Sequence, residues 1–209
     1  LKKLAFDLKE LYAKRQEQTG YVFPDCYEEM DEFISAFEYE DTPDQAASTE
    51  EILSDMRSTK VMDRLLCGDV GFGKTEVALR AAYLCVLAGK QAALMCPGTV
   101  LSEQHYKTAL SRMDPFGVRV ACLNRLLSAD VKFKDLGLLI LDEEQRFGVE
   151  HKEKIKTYKN NVDCLTMSAT PIPRTLHLSL SGIRDISTIQ TPPGARLPVQ
   201  TYVAEETET

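Results

Sequence analysis

The sequence predicts an α/β fold in which helices flank a parallel β-sheet, and three observations support this. From residue 61 onward, short apolar runs alternate with longer helix-forming runs, the pattern of strand–helix–strand units. The first apolar run ends in a glycine-rich turn that leads into a helix, and a later one ends in two adjacent acids. The 209 residues are 44% hydrophobic, which is sufficient for a sizeable core.

A helical and acidic region precedes the predicted sheet. Leucines recur at helical spacing in residues 1–18, and Gly20 ends this amphipathic helix. Its apolar stripe either packs on this domain or belongs to a helix that connects the domain to another one. Residues 21–47 are acidic and aromatic, with short helices predicted at 31–37 and 43–56.

The sheet region contains five predicted strands. They are residues 61–67, 91–96, 118–123, 138–141 and 163–167. Helices are predicted at 76–88, at 101–113 and from residue 171, and a strand leaving the domain is predicted at 197–203. Only residues 124–137 separate the third and fourth strands, too few for the helix and additional strand that this architecture normally inserts. We therefore predict that residues are absent near 125–126, either deleted or omitted from the numbering.

Charge and cysteine usage narrow the function classes. A formal net charge of −7 argues against a globally basic nucleic-acid binder but permits a local contact surface. The six cysteines show no C-x-x-C pair or metal-ligand spacing, which predicts reduced thiols in a cytoplasmic protein. No signal peptide opens the chain and no apolar run approaches about 18 residues, so we expect neither export nor a membrane span.

Residues 65–76 contain the most specific motif. The spacing G-x-x-x-x-G-K-[ST] is met by Gly68, Gly73, Lys74 and Thr75, which enclose Asp69, Val70, Gly71 and Phe72. The glycines allow successive backbone N–H groups to turn toward the phosphates of a nucleotide. Lys74 is predicted to reach the β- and γ-phosphates, and the Thr75 hydroxyl to ligate Mg²⁺ at the positive end of the following helix.

Asp142 and Glu143 follow an apolar strand and complete a nucleotide-hydrolysing site. Because parallel sheets bind ligands at the carboxyl ends of their strands, these acids and the phosphate loop are predicted to share one edge. Asp142 is predicted to hold Mg²⁺, and Glu143 to orient and deprotonate the attacking water.

Other polar residues have weaker predicted roles. Gln45, downstream of Phe37 and Tyr39, is predicted to present its amide to adenine, although a surface glutamine is the simpler reading of this residue alone. The hydroxyls of Ser168 and Thr170 follow the strand that ends at residue 167, where they are candidates for sensing the phosphate state or for linking the nucleotide site to a second ligand. Thr99, Gln104 and His105 are candidates for contact with a nucleic-acid backbone, although a lone histidine on a helix is more often structural. A solvated helix face is predicted for Lys152, Lys154, Lys156 and Lys159, with phosphate contact as the alternative.

The order of these motifs resembles that of the first motor lobe of superfamily 2 helicases. Residues 62–80, 142–149 and 168–176 are similar, more specifically, to the bacterial transcription-repair coupling factors. The RecG family of fork-remodelling helicases shares the phosphate loop and the Ala-Thr-Pro-Ile-Pro-Arg-Thr stretch from Ala169, but matches the remaining stretches less well.

The resemblance implies a RecA-like lobe of a double-stranded DNA translocase that uses ATP and Mg²⁺ to push stalled RNA polymerase forward and to recruit an excision-repair factor. It implies a connecting helix at 1–20, the lobe at 21–195 and a link toward a second lobe at 196–209. The roles it implies are catalysis by Lys74, Asp142 and Glu143; ATP binding by Gln45 and residues 68–75; Mg²⁺ ligation by Thr75 and Asp142; DNA contact by Thr99, Gln104 and His105; and coupling by Ser168 and Thr170.

The resemblance also implies parts that this chain lacks. The second motor lobe supplies arginine fingers in cis, and further domains bind polymerase and the repair factor. We therefore expect the chain alone to bind nucleotide weakly and to hydrolyse it poorly. Gly98 stands where the family usually has threonine, and a Thr-His-Arg segment expected before Leu126 is absent, in line with the short join.

Two other functions remain open at this point. A fork-reversing helicase of the RecG type would unwind branched DNA and ignore a stalled polymerase. A nucleotide-gated binding module would bind ATP and a protein partner without needing DNA to stimulate its ATPase.

Overall fold

The structure is a computed structural model that describes residues 19–122, 131–159, 161–169 and 184–194. Its strands are β1 (Asp63–Gly68), β2 (Gln91–Met95), β3 (Leu136–Asp142), β4 (Asp163–Ser168) and β5 (Asp185–Ile189). They pair in parallel in the order β2-β3-β4-β1-β5. The predicted helix at 1–18, Thr170, the helix from residue 171 and the strand at 197–203 lie outside the described residues.

Five α-helices accompany the sheet in the described part of the chain. They are α1 (Tyr27–Ser35), α2 (Pro43–Met56), α3 (Lys74–Leu87), α4 (Thr99–Met113) and α5 (Val149–Tyr158). Helix α2 begins with a capping box, because the Thr42 hydroxyl accepts the Gln45 N–H and the Gln45 side chain accepts the Thr42 N–H. Pro43 occupies the first helical position, where its missing N–H costs nothing.

Strand β3 separates two hydrophobic layers. Leu138 and Ile140 point into the larger cluster, which contains side chains from α1, α2 and α3, while Leu139 and Leu141 point into a smaller cluster with Ile155 of α5. Because both faces are covered, the strand is apolar throughout rather than alternating. The predicted parallel sheet flanked by helices is confirmed.

Strand β4 lies between β1 and β3 and sets the carboxyl ends of these strands level with one another. Cys67 is paired with Ser168, and Asp142 is paired with Met167. The phosphate loop, Ser168 and the two acids therefore emerge at one edge of the sheet.

The predicted strand at 118–123 is wrong for residues 118–122, which pair with no strand in the described part of the chain. Val118 and Val120 are half-buried against the larger cluster, so the alternation is real. However, the Val118 N–H donates to the Met113 carbonyl, which closes the turn after α4. The segment thus reaches the sheet through side chains and not through a backbone ladder.

Helix α1 starts four residues before its predicted position, and β5 was not predicted at all. The buried positions of β5 are Ser187 and Ile189, so its apolar pattern is interrupted. Ser187 is buried because it hydrogen-bonds to Arg64 and Glu51. No described helix is long and apolar enough to cross a bilayer.

Candidate nucleotide site

The phosphate loop joins β1 to α3 through residues 69–73. Gly71 and Gly73 have φ angles of 80° and 79°, in the left-handed region that residues with side chains rarely adopt. A Cβ atom at Gly73 would lie 2.3 Å from Gln45 Nε2, whereas one at Gly71 would meet nothing within 4 Å. Gly73 is therefore required by space as well as by backbone conformation.

Lys74 is the first residue of α3, and its side chain folds back over the loop. Its Nζ donates to the carbonyl oxygens of Gly68 at 2.6 Å and Asp69 at 2.9 Å. Burial lowers the pKa of Lys74, and the carboxylates of Asp142, Asp69 and Glu143 act against this shift. The lysine is thus within electrostatic reach of Asp142, which ends β3, and of Glu143, which follows it.

Protein groups orient both of these acids. Asp142 ends β3, and its Oδ2 lies 2.8 Å from His105 Nε2 of α4. Glu143 follows with a φ of 51°, a left-handed conformation that is strained for a glutamate. Its Oε2 accepts a hydrogen bond from Gln145 Nε2 at 2.7 Å and lies 3.3 Å from Arg146 Nε. Local strain at a carboxylate held in this way is typical of a functional position.

The donor groups at this edge fit Mg²⁺. The Thr75 hydroxyl on the first turn of α3 and the Asp142 carboxylate are hard oxygen donors. Among the described residues, no three His, Cys, Asp or Glu side chains converge as they would in an all-protein metal cage. Mg²⁺ is commonly held by one or two carboxylates together with nucleotide phosphates, so this sparse set suits a metal that arrives with ATP.

Gln45 links α2 to the phosphate loop. Its Nε2 donates to the Phe72 carbonyl at 2.9 Å, and its Oε1 accepts the Thr42 N–H at 2.9 Å. The side chain is 5% exposed, so it is not the surface glutamine of the simpler reading. Both ends of its amide are engaged within the protein, and contact with adenine would require at least one of these hydrogen bonds to be exchanged. Adenine recognition by Gln45 therefore stays a prediction.

The remaining loop residues divide by exposure. Asp69 and Val70 face solvent, and Asp69 Oδ1 accepts the Val70 N–H at 2.8 Å. Phe72 packs against the larger hydrophobic cluster.

The two aromatic residues before Gln45 contact each other. The rings of Phe37 and Tyr39 lie edge to face with 5.5 Å between their centroids, and Tyr39 is exposed.

Ser168 lies between the two motifs, as the last residue of β4. Its pairing with Cys67 places it beside the start of the phosphate loop. In the neighbouring strand position, the Met167 carbonyl accepts the Glu143 N–H at 3.3 Å. Ser168 therefore occupies a position from which it could couple the two halves of the site.

The three predicted DNA-contacting residues lie on α4 but face different surroundings. Thr99 and Gln104 are exposed, whereas the His105 side chain is only 11% exposed and contacts Asp142. Gly98, immediately before the helix, has φ 85° and ψ 149°, a conformation that is essentially restricted to glycine. The departure from threonine at this position thus matches the local backbone.

Several polar contacts, at the site and at the start of α2, were not predicted from the sequence. Gln145 and Arg146 hold Glu143, and Asp44 Oδ2 accepts the N–H groups of Gln190 and Thr191 at 2.9 and 2.7 Å. Only the contacts of Gln145 and Arg146 with Glu143 could have been predicted from the sequence, since these two residues lie within three positions of Glu143. Asp44 and its partners are far apart along the chain.

The predicted lysine face of α5 is only partly solvated. Lys154 and Lys156 form exposed ion pairs with Glu150 and Glu153. Lys159 is instead largely buried, and its Nζ lies 2.9 Å from Glu144 Oε1. Burial alone would raise the pKa of Glu144, but Lys159 and the Thr166 hydroxyl hold it below its usual range. The ion pair between Lys159 and Glu144 therefore links the end of α5 to the turn after Asp142.

Comparison with protein-family models identifies a DEAD/DEAH box helicase match over residues 42–125. Among solved structures, RecG bound to a three-way DNA junction is similar with a TM-score of 0.74 and 32% identity, covering 93% of this chain and 30% of that one. The UvsW helicase of bacteriophage T4 is similar with a TM-score of 0.55 and 13% identity, and the match covers 82% of this chain and 69% of that one. This likeness supports the fold alone.

Two curated relatives are similar over almost the whole chain. The transcription-repair-coupling factor of Staphylococcus aureus (strain USA300) is 50% identical, and that of Bacillus subtilis (strain 168) is 51% identical, each over 97% of this chain and 20% of the relative. The alignments span 230 and 229 positions, more than the 209 residues present, so these relatives carry residues that this chain lacks. The chain spans one fifth of the length of these relatives, and its RecA-like lobe resembles a segment of the transcription-repair-coupling factors of helicase superfamily 2.

Proposed function

We propose that this chain is the ATP-binding lobe of a double-stranded DNA translocase that displaces stalled RNA polymerase and couples transcription to nucleotide excision repair. The observation that carries the proposal is the convergence of Lys74 with Asp142 and Glu143 at one edge of the sheet. The 50% identity to transcription-repair-coupling factors supports the specific pathway. Contacts with polymerase and with the repair factor belong to domains outside this chain.

The proposed hydrolysis uses groups that the fold already orients. Backbone N–H groups of residues 69–73 and the Lys74 ammonium bind the β- and γ-phosphates. Thr75 and Asp142 would hold Mg²⁺, which when bound neutralises negative charge on the phosphates. Glu143, fixed by Gln145 and Arg146, orients the attacking water and accepts its proton. A second lobe in cis supplies the arginine that completes the site.

The proposal also assigns DNA and coupling roles within a cytoplasmic protein. Exposed Thr99 and Gln104 contact the DNA backbone, and Ser168 with Thr170 relays the nucleotide state.

The decisive experiment measures ATPase of the full-length protein with and without double-stranded DNA. We expect Lys74→Ala to lose nucleotide binding and Glu143→Gln to retain binding but lose hydrolysis, with Glu150→Gln as the matched control because Glu150 is exposed on α5. A rate that DNA does not stimulate, or that survives both substitutions, would contradict the motor assignment and favour the nucleotide-gated binding module.

The structural similarity to RecG favours fork remodelling as the second candidate. The two functions differ in substrate: a coupling factor displaces a stalled polymerase, whereas a fork-remodelling helicase unwinds branched DNA. Testing one preparation on both substrates decides between them.

A further inference from the structure

His105 connects the outer helix α4 to the predicted metal-binding carboxylate. Its Nε2 lies 2.8 Å from Asp142 Oδ2, and the two side chains are only 11% and 14% exposed. A carboxylate accepts hydrogen bonds and does not donate them, so the imidazole Nε2 carries a hydrogen and donates it. The contact is therefore a directed hydrogen bond in a largely buried position, where it orients strongly.

The way α4 is attached gives this hydrogen bond its importance. Met113, the last residue of α4, is its one buried residue, and the adjacent Arg112 is fixed by Glu76 and by the Phe33 carbonyl. The first half of the helix has only half-buried and exposed positions. Within that half, His105 provides a short polar contact to the sheet. Any displacement of the first half of α4 therefore bears directly on Asp142.

Two other polar residues in the same half of α4 face outward. Thr99 begins the helix and Gln104 precedes His105, and both are exposed. A ligand that binds these groups would shift or stiffen the helix segment that holds the imidazole. One element thus faces two sites, which is the physical requirement for coupling between them.

We propose that His105 is a positioning residue that transmits DNA contact at α4 to the Asp142 carboxylate, so that DNA-stimulated hydrolysis depends on this hydrogen bond. This inference rests on the proposed function and deepens it. Partners that orient a ligating carboxylate typically change metal affinity or activity by roughly 10-fold or more when they are removed. His105 accordingly acts through Asp142 and not by touching DNA.

The test compares His105→Ala with His105→Gln, whose amide nitrogen approximates the position of Nε2, and with Thr108→Ala as a control at an exposed position of α4. In the full-length protein we would measure binding of a fluorescent ADP analogue as a function of Mg²⁺ concentration without DNA. We would also measure the ratio of DNA-stimulated to basal ATPase activity and the affinity for double-stranded DNA. Circular dichroism verifies that each variant is folded.

We expect His105→Ala to raise the half-saturating Mg²⁺ concentration about 10-fold and to reduce the stimulation ratio while DNA affinity is kept. His105→Gln should recover much of both, and Thr108→Ala should match wild type. Weakened DNA binding with unchanged Mg²⁺ dependence would overturn the inference and make His105 a DNA contact. Unchanged Mg²⁺ dependence and stimulation would overturn it as well. If DNA fails to stimulate even the wild-type protein, the proposed function fails, and the Mg²⁺ titration alone decides whether His105 positions Asp142.

Discussion

Gln45 donates its side-chain amide to the Phe72 carbonyl, so the first turn of α2 is bonded directly to the phosphate loop. The same side chain completes the capping box with Thr42. Stability of the helix and shape of the loop therefore depend on one residue, and substitutions can separate these two effects.

Gln45→Ala should weaken the helix cap and also release the phosphate loop, whereas Thr42→Ala should weaken the helix cap alone. Loss of a cap costs about 1 kcal/mol, so we expect similar falls in the free energy of unfolding for the two variants. Only Gln45→Ala should also lower nucleotide affinity markedly, because it also frees the loop. Denaturant unfolding and fluorescent-nucleotide titration measure the two quantities. Equal nucleotide affinity in both variants would refute the link.

Gly73→Ala and Gly71→Ala form a matched pair in the loop. Both place a side chain at a positive φ near 80°, which costs about 1–2 kcal/mol. Only the alanine at 73 also collides with Gln45 Nε2. We expect Gly73→Ala to be the less stable variant and to lose nucleotide binding more completely. Equal melting temperatures would show that the loop relaxes around the added methyl group.

Removing Arg80 should strongly destabilise the domain. This guanidinium is 1% exposed, makes two hydrogen bonds to Asp41 at 2.6 and 2.9 Å, and lies 3.2 Å from Glu76. Arg80→Met leaves Asp41 without its guanidinium partner, while Glu76 keeps Arg112, and we expect a cost of about 3 kcal/mol. The control Lys107→Met breaks an exposed pair with Glu103 and should cost less than about 1 kcal/mol. Urea unfolding of both variants provides the comparison.

Asp44 should make stability depend on pH. The Thr191 side chain and the backbone N–H groups of Gln190 and Thr191 hold the pKa of Asp44 below its ordinary value. Because the pKa is lower in the folded state, the carboxylate stabilises the fold above its unfolded pKa, and this contribution disappears as pH falls through the folded pKa. Asp44→Asn should therefore be less stable than wild type at pH 7, with the difference vanishing in acid.

The control for this experiment is Glu50→Gln, an exposed position on the same helix. Thermal melts at a series of pH values follow both variants. A stability difference for Asp44→Asn that does not shrink at all as the pH is lowered through the acid range would contradict the electrostatic explanation.

The sequence predicted what local patterns encode and missed what depends on contacts distant along the chain. Apolar runs located β1 to β4, and the loop and acid motifs placed Lys74, Asp142 and Glu143 at one edge. Strand β5 was not predicted because its buried Ser187, which accepts a hydrogen bond from Arg64, is a polar residue that interrupts the apolar pattern.

The contacts of His105 and Gln45 were equally hidden. Each joins residues that are separated by a strand or more, and nothing in residue spacing shows that α4 reaches Asp142 or that α2 reaches Phe72. The segment at 118–122 shows the opposite limitation, since its alternating burial is that of a strand although it lacks a ladder.

The left-handed backbone at Glu143 sets activity against thermostability at a single position. Glycine would adopt that φ of 51° without strain, so Glu143→Gly should have an equal or higher melting temperature while losing the carboxylate that we propose activates water. A screen for heat-resistant variants would therefore enrich inactive chains at this site. A glutamate at this position thus occupies a conformation that suits glycine better, as expected for a residue retained for its carboxylate and not for stability.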